Sequence, residues 1–493
     1  MTALDPRTPV LVGVGVVQQR EDDFDKALEP VELMIAALER AAEDAGARAL
    51  LARADSIRAP RGLWDYADPC RIVAERLGAT GARTEVTEVG VLQTTLFGRA
   101  AQDIANGRAD VVLLTGGEAR YRAKRAAAAG RAEGLARQSA GVEPDSVLRP
   151  SGPIVSELEI RAHLTFPVRG FAMIENALRA AEGVSLDDHG REVAELWAAM
   201  SRVAAANPHA WSPHPVSGEE IREANDRNPM LAFPYTKLHV SQWNVDQAAG
   251  LVLCSLETAR ALGIPRERWV FPLAVADSNH MLPLTQRRAL HRSPGFARAG
   301  ERALAQASCE VADLAHLELY SCFPAAVRVQ TRELGIPEGR SPTVTGGMTF
   351  AGGPLNNFVL QAQARMTHVL RGDPGSVGLV TAVSGILTKQ GVSLWSTEPR
   401  GQGFRFDDVS AETAADVEAV EVVSEARGTA RIASYTVLYE GEKPIQNILL
   451  CDLEDGRRAL VASQDEDLAR SLVREEACGR RVRLSPGGDV ALA

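Results

Sequence analysis

Cysteine is scarce and scattered. Cys70, Cys254, Cys309, Cys322, Cys451 and Cys478 are the only six among 493 residues, and no two form a C-x-x-C pair. That spacing suggests neither a zinc site nor a disulfide framework. Apolar runs of membrane-spanning length are missing, and the N-terminus lacks the basic–apolar pattern of a signal peptide. Basic charge is deficient too. The net charge is −10 and the pI about 5.6, which argues against nucleic acid as a partner. Arg120–Arg125 (RYRAKR) is a local exception, read as a solvated face or a small-anion contact. His163, His189, His209 and His214 show no H-E-x-x-H spacing and are read as surface or packing residues. The expectation is a soluble cytoplasmic protein with no bound cofactor, no metal, and neither membrane nor nucleic acid as a partner.

What the chain does have is length and apolar content. Its 45% hydrophobic residues supply a substantial core, and its size favours about three domains. The clearest stretch is Thr343–Gly385, TVTGGMTFAGGPLNNFVLQAQARMTHVLRGDPGSVGLVTAVSG. A turn with Gly346, Gly347, Gly352, Gly353 and Pro354 opens a helix over about 356–371, buried on most faces. A polar turn and the apolar strand VGLVTAV follow. Glycine pairs ahead of a buried helix imply close backbone approach and free N–H groups, suited to an anion or a carbonyl oxygen. Val89–Glu118 repeats the pattern: turn, helix over about 93–105, polar turn NGRAD, then strand VVLLTGG. Two copies at matching lengths argue for an internal duplication and a site between the halves.

The rest of the chain fits around these copies. Val10–Val17 is a strand. Its Gly13 and Gly15 are half a dinucleotide fingerprint, discounted because Gln18 stands where the third glycine belongs. Strands alternating with helices make an α/β unit. Residues about 120–235 are helical with long irregular connections and read as an insertion. The Tyr-Ser-Cys-Phe-Pro run at 320–324 puts protic side chains where a strand meets a helix, a position open to ligands in α/β sheets. After Trp395 a linker leads to short strands and one helix over about 465–472, an OB-like all-β domain.

Several stretches together resemble the thiolase superfamily: IANGRADVVLLTGGEA (104–119), PYTKL and VDQAAG within 234–250, YSCFP, GGMTFAGGP (346–354) and SGILTKQGV (384–392). The likeness is greatest to sterol-carrier-protein-type thiolases and to thiolase-like proteins with an added C-terminal domain. It implies an αβαβα thiolase fold with an inserted loop domain. The domains are then 1–270 for the first half, with the insertion at about 120–235, 271–398 for the second half and 405–493 for the OB-like domain. It also implies an acyl-CoA ligand where the halves meet, and a homodimer or a monomer. The positions matched to the thiolase catalytic groups are changed: Gly90, with Gln93 nearby, for the nucleophilic cysteine, Tyr320 for the Asn or His, Gly353 for the histidine, and about Ala382 for the second cysteine.

Glycine cannot accept an acyl group, so covalent thiolysis through that site is not expected. The primary expectation is an enzyme that makes or breaks a C–C bond β to a CoA thioester by retro-aldol chemistry. Tyr320, with Ser321, is the catalytic candidate, resembling the Tyr-Asp-x-Phe loop of thiolase-fold aldolases. Those aldolases work with a partner containing an OB domain, here matched by the fused C-terminal segment. Gly352–Gly353 and Ser384–Gly385 would supply backbone donors to an enolate, helped by Asn357 or Lys389. Gly90, Gln93, His280 and Cys322 complete the substrate-binding set. The alternatives are a CoA or acyl-CoA binding protein without turnover, and a thiolase working through a non-standard site.

Overall fold

The computed structural model describes residues 4–400, 403–485 and 490–492. Its two central sheets repeat one pattern. The first half contributes β1 (Pro9–Gln19), α1 (Pro30–Ala45), β2 (Ser56–Pro60), α2 (Pro69–Leu77), β3 (Arg83–Thr87), α3 (Gln93–Ala105) and β4 (Val111–Ala119). An insertion follows, containing β5 (Ser146–Leu148), α4 (Pro167–Glu182) and α5 (Leu186–Ala205), before β6 (Asp246–Ser255) closes the repeat. The second half runs through β7 (Phe271–Ser278), α6 (Pro294–Ala307), β8 (Leu314–Glu318), α7 (Pro324–Glu333), α8 (Phe358–Gly372), β9 (Val377–Ser384) and β10 (Lys389–Ser396).

The strand orders are β1-β6-β4-β2-β3-β5 and β8-β9-β10-β7. In the first, β1 is antiparallel to β6, β6 antiparallel to β4, and β4 parallel to β2. In the second, β7, β10, β9 and β8 reproduce that sequence of directions. The duplication read from the two glycine-led helices is therefore a duplication of whole sheets. Both sheets are covered on both faces, which explains their near-continuous apolar strands.

Helices α3 and α8 form the layer between the sheets, each touching strands of both halves. Phe97 of α3 meets Trp395 of β10 edge-on, with ring centroids 5.7 Å apart. On the outer face α1 lies against β1 and β6. There Gly13 and Gly15 let the helix backbone approach: a Cβ at either position would overlap the carbonyl oxygen of Ala41 or Ala37. These glycines serve helix–sheet packing and no dinucleotide.

Past β10, the strand β11 (Arg405–Asp408) joins the second sheet parallel to β7. Residue 405 is thus not the start of the C-terminal domain, because this strand completes the preceding one. The C-terminal sheet is built from Val422–Val423, β12 (Gly428–Glu440), β13 (Lys443–Leu453), β14 (Arg458–Ser463), β15 (Arg481–Leu484) and β16 (Val490–Leu492), backed by α9 (Glu466–Arg474). Its order is Val422–Val423, β14, β13, β12, β15, β16, and among the described residues no pair joins the two ends. The expected small C-terminal β domain is thus a mostly antiparallel sheet backed by one helix.

This sheet is bound to the body by buried polar contacts. Arg458 pairs with Asp452 at 2.7 Å and donates to the Arg287 and Arg288 carbonyls. The Ser434 hydroxyl donates to the Met173 carbonyl on α4 at 2.6 Å, and Arg179 pairs with Glu476. No helix among the described residues is long and apolar enough to cross a membrane.

Candidate functional site

The two helices of the central layer begin beside one another. Gln93, the first residue of α3, donates its carboxamide to the carbonyl and side-chain oxygens of Asn356 at 3.0 and 2.6 Å. The Asn356 side chain reaches on to the Arg61 carbonyl. The duplicated turns therefore meet, as the sequence implies.

The space beside them is occupied. Gly90 has φ +107°, and a Cβ on it would stand 3.1 Å from Pro150 Cγ and 3.2 Å from Ile154 Cδ1. At Gly385, φ +67°, a Cβ would overlap Ile154 Cγ2 and lie 2.6 Å from Thr388 Oγ1. One side chain, Ile154, thus lies against both glycine turns, and Gly90 and Gly385 are within a single isoleucine's reach of each other. Pro150 and Ile154 belong to the irregular RPSGPIVSE connection of the insertion. Its far end is fixed by a capping box, Ser156 with Glu159.

The second set gathers around residues 320–324. Ser241 N–H donates to the Cys322 carbonyl, Gln242 N–H to the Met348 carbonyl, and Gly353 N–H to the Gln242 carbonyl. The Ser241–Gln242 loop joins the Tyr-Ser-Cys-Phe segment to the glycine turn, a role nothing in its sequence announces. It also corrects an expected role: the Gly353 N–H is committed to Gln242 and does not point free at a ligand. Gly352 faces Gln247, whose Oε1 lies 2.2 Å from the position a Cβ would take.

Ser321 is fully buried, and its hydroxyl accepts from Met348 N–H at 3.0 Å. It braces the glycine turn rather than presenting a reactive group. Burial pushes the Cys322 thiol well up, which disfavours the thiolate. Burial likewise raises the Tyr320 phenol, with the neighbouring Cys322 adding to the shift. Tyr320 contacts Phe358 edge-on at 6.0 Å, and its hydroxyl has no hydrogen-bond partner among the described residues. At neutral pH the phenol is therefore held in its neutral, proton-donating form.

Beneath this loop lies a buried polar network. Glu175 of α4 accepts from the Tyr235 hydroxyl at 2.5 Å, His189 at 3.0 Å and Arg328 at 3.2 Å. The Tyr235 hydroxyl in turn accepts from Ala325 N–H. Burial works to raise the Glu175 carboxyl, but the His189 and Arg328 contacts outweigh it and hold it at about 2. Glu318 fixes the other flank. Its carboxylate takes N–H groups of Val344 and Thr345 and both threonine hydroxyls of 343 and 345.

A third cluster lies behind the α3 N-terminus. Asp277, at the end of β7, accepts from the Thr94 and Thr95 hydroxyls at 2.5 and 2.6 Å, tying a second-half strand to the first-half helix. Burial pushes its carboxyl up to about 7 against those hydrogen bonds. Lys389 is buried in the field of Asp277 and Asp408, with its ammonium shifted down by burial. Asn357 is buried with neither its Nδ2 nor its Oδ1 partnered. Its oxygen stands against Gly116, 2.5 Å from where a Cβ would be. His280 is elsewhere, lining a separate cavity with Arg287 and Thr388.

With this geometry in place, known proteins supply the comparison. A crystal structure of a monomeric SCP2-thiolase like protein type 1 from Mycobacterium smegmatis matches over 100% of both chains, with 31% identity and TM-score 0.83. The chain belongs to this family of thiolase-like proteins. The family signature of the thiolase-like protein type 1 additional C-terminal domain matches residues 410–489, which agrees with β11 belonging to the preceding sheet. An Ltp2-ChsH2(DUF35) aldolase structure matches at 20% identity and TM-score 0.61, over 80% of this chain and 99% of that one. The dimeric peroxisomal thiolase of Saccharomyces cerevisiae matches at 17% identity and TM-score 0.58, over 80% and 99%. These last two show the fold alone, the duplicated thiolase fold. No curated protein sequence matches the chain.

Proposed function

We propose that this thiolase-like protein binds an acyl-CoA thioester where its two halves meet, and carries out no thiolysis through a cysteine. The observation behind this is the seating of Ile154 and Pro150 against Gly90 and Gly385. An acyl-accepting side chain at Gly90 would run into them, and neither Cys322 nor Ser321 is placed to act as a nucleophile instead. Cys322 has a raised thiol pKa and Ser321 holds Met348. With the Gly353 N–H taken by Gln242, the thioester would lie on the Gly90 and Gly385 side, where Ile154 is the half-buried side chain a ligand displaces on entry. Calorimetry with acetyl-CoA and a longer acyl-CoA should show one site per chain, strengthened in Ile154→Ala. Wild-type protein should leave acetoacetyl-CoA and free CoA unchanged. Absence of heat with any acyl-CoA refutes the binding, and CoA-dependent cleavage of the ketoacyl substrate refutes the lack of thiolysis.

A second reading rests on Tyr320, whose hydroxyl is unpaired and whose ring stands edge-on to Phe358 at the start of α8. As a neutral phenol it would protonate the alkoxide formed when an aldehyde or ketone condenses with a thioester enolate, the aldol direction of the same chemistry. The Asn357 carboxamide, without partners of its own, would be the enolate's side-chain donor. Tyr320→Phe should then abolish C–C bond formation or cleavage across a panel of β-hydroxyacyl-CoA compounds, and equal activity in the variant ends this reading. A monomer is supported by β5, which pairs with the outer edge of β3 and covers it. Light scattering checks the mass.

A further inference from the structure

A small cavity adjoins the glycine turn on a side that Ile154 does not line. It measures about 20 Å³, room for one oxygen-sized group, and lies between β1, the connection after α5 and one face of α8. Gln361, Arg365 and His368, spaced i, i+4 and i+7 on α8, reach it together with His209 of the connection. All four carry nitrogen groups able to donate.

Those donors are largely unspent. Gln361 is 7% exposed, and its Nε2 is buried with no partner. Among the described residues, no protein hydrogen bond holds a ring nitrogen of His209 or His368. The Arg365 side chain donates from Nε alone, to the Val344 carbonyl at 3.2 Å. Arg40 of α1 stands at the Val16 wall of the cavity, its Nη1 donating to the Val16 carbonyl at 2.7 Å. Neither guanidinium has a carboxylate within ion-pair distance among the described residues.

The carboxylates nearby are committed elsewhere. Asp44 takes Arg268, Arg371 and the Val14 N–H. Glu39 and Glu43, on the same helix as Arg40, face Arg48. Glu318, behind Thr345, is filled by the hydroxyl and N–H groups of 343–345. Positive charge is therefore in excess here, on a chain whose net charge is −10. His209 registers it: burial first, then His368, Arg40 and Arg365, push its imidazole down. His368 is lowered by burial and by Arg371, Arg365 and Arg268, against the opposing pull of Asp44. Two imidazoles at one cavity would suit a transition metal. Two unmatched guanidiniums repel a cation, however, and no third ligand group joins the histidines among the described residues. An anion satisfies the whole set.

We infer that this cavity seats a phosphate group, free or at the end of a phosphomonoester. One oxygen enters and accepts from Gln361 Nε2 and the imidazoles, and the others lie outward against the Arg365 and Arg40 guanidiniums. Gln247 Nε2 donates to both the His209 and the Ala351 carbonyls, so the anion rests on a segment tied to the residue before Gly352. The site stands apart from the thioester reading, because Gly90, Gly385 and Ile154 do not line it.

The test is calorimetry on the full chain with inorganic phosphate, glycerol 3-phosphate, sulfate and acetate. Phosphate should bind, and acetate at least tenfold more weakly. Matching affinity for glycerol 3-phosphate makes the end of a phosphomonoester the ligand, and its failure to bind makes free phosphate the ligand. Sulfate keeps its charge across the range and should bind severalfold tighter at pH 6 than at pH 8, because an anion draws protons onto His209 and His368. Gln361→Glu puts a carboxylate in the cavity and should weaken phosphate at least tenfold. His368→Gln alters an exposed side chain that the fold does not depend on, and should weaken phosphate severalfold while reducing the pH effect. Ile154→Ala should leave phosphate binding unchanged. Failure of the wild-type protein to bind either phosphate compound overturns the inference, as does wild-type affinity in both Gln361→Glu and His368→Gln.

Discussion

Placing Ile154 against Gly385 makes a quantitative claim that a double-mutant cycle can test. Gly385→Ala imposes a side chain on a left-handed residue at φ +67°, costing roughly 1–2 kcal/mol. The new methyl also overlaps Ile154 Cγ2 and crowds Thr388 Oγ1, and overpacking of this kind costs about 1–3 kcal/mol more. Ile154→Ala alone removes a half-buried side chain, and incomplete burial keeps its cost near ~1–2 kcal/mol, at or below the lower end for such truncations. In the double variant the overlap with Ile154 disappears while the backbone strain stays. The two costs should therefore fall short of adding by about 1 kcal/mol or more, a coupling typical of side chains in contact. Unfolding free energies from urea titrations of the four proteins supply the cycle. Additivity within about 0.5 kcal/mol, the behaviour of distant sites, would refute the placement of Ile154 and with it the filled site.

Other expectations follow from the buried charges. Glu175 is held at about 2 against an ordinary 4.5, so the stability it contributes is complete above pH 4.5 and lost as pH falls towards 2. The loss amounts to about 3 kcal/mol at ~1.4 kcal/mol per pH unit. Glu175→Gln should flatten acid unfolding over that window in thermal melts. Asp277 has the opposite sign. Its carboxyl is raised to about 7, so the native state binds a proton the unfolded chain releases, and stability declines as pH rises from about 4 to 7. Asp277→Asn should gain thermal stability relative to wild type between pH 5 and pH 8, and an unchanged pH profile contradicts this. Arg458→Ala removes a buried guanidinium that bonds Asp452 and the Arg287 and Arg288 carbonyls, and should expose the C-terminal sheet to limited proteolysis.

Much of the fold was legible because it rests on local signals. The glycine turn and apolar periodicity placed α3 over the residues it occupies, and the matching second copy announced the repeated sheets. Asp68 directly before Pro69 is a local start signal, and it caps α2 by accepting from Arg71 N–H. The site was less legible because its contacts join residues far apart in the chain. Ile154 meets Gly90 and Gly385 through an irregular connection with no periodicity to read. Glu175, His189, Tyr235 and Arg328 carry no spacing that marks them as a network. Arg405–Asp408 looked like the start of a new domain because its polar composition hides its pairing with β7. Tyr320 precedes Ser321, which braces the Met348 turn, and the burial that keeps its phenol neutral is something no residue pattern reveals.

The same short stretch of insertion both caps a sheet and stoppers a pocket. Ser146–Leu148 zips onto the margin of β3, and a few residues later Ile154 wedges between the two halves. Any guest that levers the wedge outwards therefore pulls on the zipped strip. On the proposed binding, displacing Ile154 would strain the strip against β3, and faster amide exchange of Ser146–Leu148 would report it.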